Sequence, residues 1–306
     1  MGAGHQHEHA ATATGTHRSR LVIVLVITAA VFVVELIGGL ISGSLALLAD
    51  AGHVLTDSGG LVLALVATSL AGRAATVRRT YGLQRAEVLA ALTNALLLVG
   101  IAVWVLVKAI DRLTEPVPVD TSVMIIAAGI GAAANLAGML LLRRGQAESL
   151  NLRGAYLEVL GDLVGSVAVI VAAVLIQLTG WTRFDAVCSL AIFVLILPRA
   201  WSLLREVVDV LLEATPRGVD LDQVREHIRG VAGVVDVHDL HAWTITSGVP
   251  VLSAHVVVDD ACISLGLSGE VLDRLGECLG GHFDVEHCTF QLEPVGHQEH
   301  EPGHHA

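Results

Sequence analysis

The sequence predicts an α-helical membrane protein: a six-helix transmembrane bundle followed by a small cytoplasmic α+β domain. Two observations predict it. Of 306 residues, 54% are hydrophobic and only 16% are charged, too apolar for one soluble domain, although the length alone would allow two. The apolar residues gather before residue 200, in six blocks that each approach the ~20 residues needed to cross a bilayer as a helix. Charge divides at the same place. Residues 1–199 hold 13 Lys and Arg against 12 Asp and Glu, and residues 200–306 hold 5 against 18. A second part at −13 argues against nucleic acid as a partner.

The apolar blocks are residues 21–41, 45–72, 86–110, 121–142, 155–178 and 186–204. Arg18 and Arg20 ahead of the first would suit a signal peptide. The run is longer than an ordinary signal core, however, and no small-residue cleavage site precedes a further soluble segment, so it is a first transmembrane helix. Arg199 interrupts the sixth block. With the N-terminus inside, segments 1–20, 73–85 and 143–154 carry nine arginines, against Lys108, Arg112 and Arg183 outside. The positive-inside rule then places both termini in the cytoplasm of a protein expected in the plasma membrane. The loop "RAATVRRTYGLQR" carries arginines but no His or Asp, so it suits anionic membrane lipids.

The expected organisation is a flexible His-containing tail (1–20), a transport domain (21–204), a cytoplasmic domain (205–295) and a His-rich tail (296–306). In the cytoplasmic domain "DLDQVREHIRGV" and "SGEVLDRLGECLGG" are amphipathic helices. "VVDVHDLHAWTIT", "PVLSAHVVVD" and "VEHCTFQLE" are strands, giving a two-layer α+β unit. Cys188, Cys262, Cys278 and Cys288 form no C-x-x-C pair, as suits reduced or buried thiols. "GHQHEH" and "GHQEHEPGHH" at the two ends can hold metal loosely or serve as solvated tails.

Ionisable residues inside apolar spans carry the functional signal. Each costs roughly 2.5–3.5 kcal/mol in the bilayer, so each faces a partner or a water-filled cavity. His53 and Asp57 stand four apart in the second span, and Glu158 and Asp162 four apart in the fifth. That separation stacks each pair on one helix face. One imidazole and three carboxylates can hold a divalent transition metal, tetrahedral Zn²⁺ among them. The alternative is structural pairing, which must find its cation elsewhere, since neither span has an internal Lys or Arg. Asp50, one turn before His53, suits an entry or exit path or a helix cap. Glu35 and Asn94 suit groups supporting the ligands or helix–helix hydrogen bonds.

The stretches "GLISGSLALLADAGHVLTDSGGL" (39–61), "TYGLQRAEVLAAL" (80–92), "NLRGAYLEVLGDLVGSVAVI" (151–170) and "VHDLHAWTITSG" (237–248) resemble the cation diffusion facilitator family of divalent-metal/proton antiporters. The resemblance covers both parts of the chain. It implies a Y-shaped homodimer, a metallochaperone-like (ferredoxin-like) cytoplasmic domain, and a transport site at His53, Asp57, Glu158 and Asp162. It also implies a regulatory metal in the cytoplasmic domain, for which His241, His255, His287 and Glu293 are the candidates, with His238 and His282 behind them. Zinc-transporting relatives commonly have His where this chain has Glu158, and a carboxylate there hardens the site.

The expected function is export of Zn²⁺ from the cytoplasm against protons, with Zn²⁺ as substrate and regulator rather than cofactor. An exporter mainly of Mn²⁺, Co²⁺ or Cd²⁺ is the alternative, and a passive channel or a sensor would need the same ligands. No G-x-x-x-x-G-K-[ST] loop is present, so a gradient supplies the drive. An intramembrane aspartyl protease using Asp57 and Asp162 is a remote alternative. It lacks the first Gly of G-x-G-D before Asp162 and leaves His53 and Glu158 without a role. H-E-x-x-H is missing too, which counts against a zinc metalloprotease.

Overall fold

The structure, a computed structural model, describes residues 7–143, 150–246, 248–283, 285 and 287–297, with the backbone alone for 7–20, 150–151 and 282. The ends of both His-containing tails (1–6 and 298–306) and the middle of the expected inner segment 143–154 lie outside the described residues. Six long helices come first: α1 (His7–Ser42), α2 (Leu45–Ala71), α3 (Ala86–Thr114), α4 (Thr121–Leu142), α5 (Leu150–Thr179) and α6 (Arg183–Leu211). Each contains a segment long and apolar enough to cross a membrane. Their outer faces expose Val26, Leu40, Leu65, Ile126, Leu178 and Leu195, as a lipid-facing surface does when the solvent is hydrocarbon.

The chain folds as two compact units, residues 1–65 with 93–203 and residues 66–92 with 204–306. In the first, α4 packs along α5 and α1, around a core that includes Leu47, Leu98, Met124, Val169 and Ile192. A smaller cluster of Val24, Leu142, Leu152 and Val159 joins α1, α4 and α5. α4 is N-capped by Asp120, whose carboxylate accepts from the Ser122 and Val123 amides. Pro198 lies inside α6.

In the second unit α7 (Leu221–Arg229) precedes β1 (Val234–Thr244) and β2 (Pro250–Val258). Next come a single turn α8 (Asp260–Ser264), α9 (Ser268–Phe283) and β3 (His287–Pro294). β2 is central, antiparallel to β1 and parallel to β3; the parallel pair needs a crossover, which α9 supplies. Leu252, Ala254, Val256 and Val258 alternate along β2 and meet Val224, Ile228, Val271, Leu275 and Leu279 of the helices. The intervening residues of β2, His255 among them, point to the opposite face. Arg85 pairs with Glu213 at 3.2 Å and Thr246 donates to Glu87 at 2.8 Å, tying the segment between α2 and α3 to the rest of this unit.

Candidate metal sites

α2 and α5 bring three of the four expected transport ligands together. His53 Nε2 lies 3.6 Å from Asp57 Oδ2 and 3.8 Å from Asp162 Oδ1, and the three residues each offer a ligand atom within 4.8 Å of the others. Bonds of ~2.1 Å around a tetrahedral ion set its ligands about 3.4 Å apart, so a shift of a few tenths of an ångström closes the first two edges on a metal. Asp57 and Asp162 are nearly sequestered, with 6% and 2% of their side chains exposed. Asp162 Oδ1 is buried with no hydrogen-bond partner among the described residues, and buried oxygens of this kind call for an explanation.

Glu158 is not one of these three but lies beside them, its carboxyl in hydrogen-bond contact with Asp57. Its Oε1 lies 3.6 Å from Arg199 Nη2, while Arg199 Nη1 donates to Asp57 Oδ2 at 2.9 Å. The cation missing from the second and fifth spans therefore comes from the sixth. The signal was an arginine inside an apolar block, since such a residue needs a buried partner.

Two more carboxyls lie deeper. Glu35 and Asp50 are buried and face each other, and Ser166 donates to Glu35 Oε1 at 3.3 Å. A Cβ at Gly165 would stand 2.6 Å from Asp50 Oδ1, so the approach of α5 to α2 needs glycine there. Asp50 does not cap α2. Asp185 of α6 does so from another helix, accepting from Ser44 Oγ at 2.6 Å, the Leu45 amide at 2.8 Å and the Ala46 amide at 3.1 Å. Arg112 donates to the same carboxylate at 2.9 Å and to the Gly43 carbonyl at 2.6 Å. Sequence pattern could not reveal a cap supplied from 140 residues away. Asn94 is half-buried against Gly60, one turn beyond Asp57 on α2.

The second group forms on the sheet face away from α7 and α9. His255 Nδ1 lies 2.8 Å from Glu293 Oε1, and His238 Nε2 lies 3.4 Å from Glu293 Oε2. These three residues offer ligand atoms within 4.8 Å. His238 reaches the group because β1 bulges between His238 and His241, with Asp239 in the left-handed region at φ 49°. The bulge sets His238 opposite His255. His241 instead bonds Asp239 Oδ1 at 3.0 Å. His287 sits six residues before Glu293 on β3, about 20 Å along an extended strand, with its ring edge-on to Tyr81. The geometry thus groups His238 with His255 and Glu293 and leaves His241 and His287 outside; the side chain of His282 lies outside the described residues. Nearby, burial pushes the Asp236 carboxyl up, but the Val237 amide and Arg229 outweigh it and hold the carboxyl below its ordinary range.

Residues 21–212 match the family model for the cation efflux transmembrane domain, and residues 216–295 match that for the cation efflux protein cytoplasmic domain. The chain belongs to the cation efflux family. Three similar relatives have names that agree. The chain is 43% identical over 267 residues to the metal cation efflux system protein CzcD of Cupriavidus metallidurans, covering 87% of this chain and 84% of that one. It is 41% identical over 269 residues to the zinc transporter ZitB of Escherichia coli, with coverage of 87% and 84%. It is 38% identical over 267 residues to the cadmium, cobalt and zinc/H(+)-K(+) antiporter of Bacillus subtilis, with coverage of 87% and 85%. A cation efflux protein is a multi-pass membrane transporter and not an enzyme, so the aspartyl-protease alternative for Asp57 and Asp162 falls away.

Proposed function

We propose that the protein exports a divalent metal cation, Zn²⁺ first among them, from the cytoplasm in exchange for protons. The observation that carries the reading is the convergence of His53 Nε2, Asp57 Oδ2 and Asp162 Oδ1 at the centre of apolar helices. An imidazole nitrogen with two or three carboxylate oxygens suits Zn²⁺, and Glu158, in contact with Asp57, is the proposed fourth ligand. In the inward-facing state these groups accept the metal. Facing outward, protons compete for the same lone pairs on the imidazole and the carboxylates. Rocking of the helices about a fixed central site supplies alternating access.

Both termini are placed in the cytoplasm, on the arginine count of the loops. His238, His255 and Glu293 are proposed as a metal site that senses cytoplasmic metal. A second copy of the chain is the proposed partner, and lipid meets the apolar faces.

The test is metal flux into proteoliposomes under an imposed pH gradient, comparing Zn²⁺, Cd²⁺, Co²⁺ and Mn²⁺. Gradient-dependent uptake led by Zn²⁺ is expected. Uptake led by Mn²⁺ or Co²⁺ would make the Glu158 carboxylate the determinant of a harder preference. Flux indifferent to the gradient would remove proton exchange from the account.

A further inference from the structure

Arg199 touches the transport site in a way that bears on how metal leaves it. The Asp57 oxygen that accepts from Arg199 Nη1 is Oδ2, the same atom that stands 3.6 Å from His53 Nε2 in the ligand group. Arg199 Nη2 stands 3.6 Å from Glu158 Oε1. One guanidinium therefore spans a carboxylate from α2 and a carboxylate from α5, a role suited to its planar fork. Its side chain is 53% exposed, so it can leave the carboxylates without repacking the core, its long stem carrying the charged head toward water. It also follows Pro198, which has no N–H for the Val194 carbonyl and loosens α6 there.

The geometry points to Arg199 as a tethered competitor of the transported metal. A divalent ion drawn to Asp57 must displace the guanidinium from Oδ2, and that displacement also frees the Glu158 carboxylate, already beside Asp57, to complete the ligand set. Return of the guanidinium to the two carboxylates then helps expel the ion. Arg199 thus keeps affinity low enough for turnover, since a site that binds an ion must also let it go. The inference rests on the transport-site reading above and names a control of that same site.

The experiment is the concentration dependence of Zn²⁺ flux in proteoliposomes, with full-length wild type, Arg199→Gln, Arg199→Lys, and Arg199→Gln combined with Glu158→Gln. Arg199→Gln is expected to lower both KM and kcat by about five- to tenfold. Arg199→Lys, which keeps the charge but not the fork, is expected to fall between. In the Glu158→Gln background the effect of Arg199→Gln is expected to shrink, because one of the two carboxylates is already neutral. A raised or unchanged KM in both Arg199 variants would overturn the proposal, as would a fall in kcat alone, which marks a merely structural role. Asp162→Asn separates the two readings. If it transports like wild type, the transport-site reading itself fails; if it is inactive while the Arg199 variants keep the wild-type KM, only the competitor fails.

Discussion

In the membrane, one imidazole and two carboxylates converge from two helices, and an arginine sits on one of the ligand oxygens. In the C-terminal domain, two imidazoles and one carboxylate converge from three strands, and Gln291 donates to Glu293 at 2.9 Å. The first group is flanked by a cationic guanidinium, and the second by a neutral amide and by the Asp239 carboxylate, 3.8 Å from His255 Nε2. The contrast suits two tasks. A transport site has to bind and release its ion in every cycle, whereas a sensing site gains from holding it. Ordinary coordination chemistry serves both, and the neighbouring groups make the difference.

The sharpest way to break this contrast is to remove a ligand from each group. Asp57→Asn is expected to lower Zn²⁺ transport by about 100-fold or more, beyond the ~10–100-fold that a supporting residue alone is worth, as measured by flux in proteoliposomes. Glu293→Gln in the full-length protein is expected to leave maximal flux near wild type. It should shift the metal concentration for half-maximal flux by only about fivefold, the scale of coupling between distinct sites. If Glu293→Gln proved as damaging as Asp57→Asn, the division into transport and sensing would not stand.

Stability sharpens the comparison from another side. Asp185→Ala strips the cap from α2 and leaves Arg112 facing a half-buried void, a loss of about 3–5 kcal/mol for a broken buried pair, checked by unfolding in detergent. The same experiment on Asp236→Asn is expected to cost less than about 1 kcal/mol, as exposed pairs do. The Asp236 contribution has a definite sign. Its folded pKa lies below the ordinary value, so the contribution is present above the unfolded value of ~3.9 and is lost as pH falls through the folded one.

The fold was legible because its signals are periodic and long: six apolar runs, two amphipathic helices and alternating strands. His53, Asp57 and Asp162 were legible because ionisable groups at a four-residue spacing stand out in an apolar span. Arg199 was visible only as an interruption of its helix. Its pairing with Asp57 spans 142 residues, and no local spacing records such a contact. His238 was obscured for a different reason. Strict alternation cannot anticipate the bulge at Asp239, and a one-residue change of register moves a side chain to the other face. The Asp185 cap escaped because a carboxylate at the start of one helix suggests service to that helix, whereas three of its four donors belong to the start of another.

The central claim is that His53, Asp57 and Asp162 hold the metal, and Co²⁺ binding tests it most directly. The measurement is the visible absorption of Co²⁺ added to the full-length protein carrying His255→Ala and Glu293→Gln, so that the cytoplasmic group no longer responds. An intense four-coordinate spectrum is expected, saturating at one ion per chain and disappearing when Asp162→Asn is added. A spectrum that survives Asp162→Asn unchanged would contradict the claim.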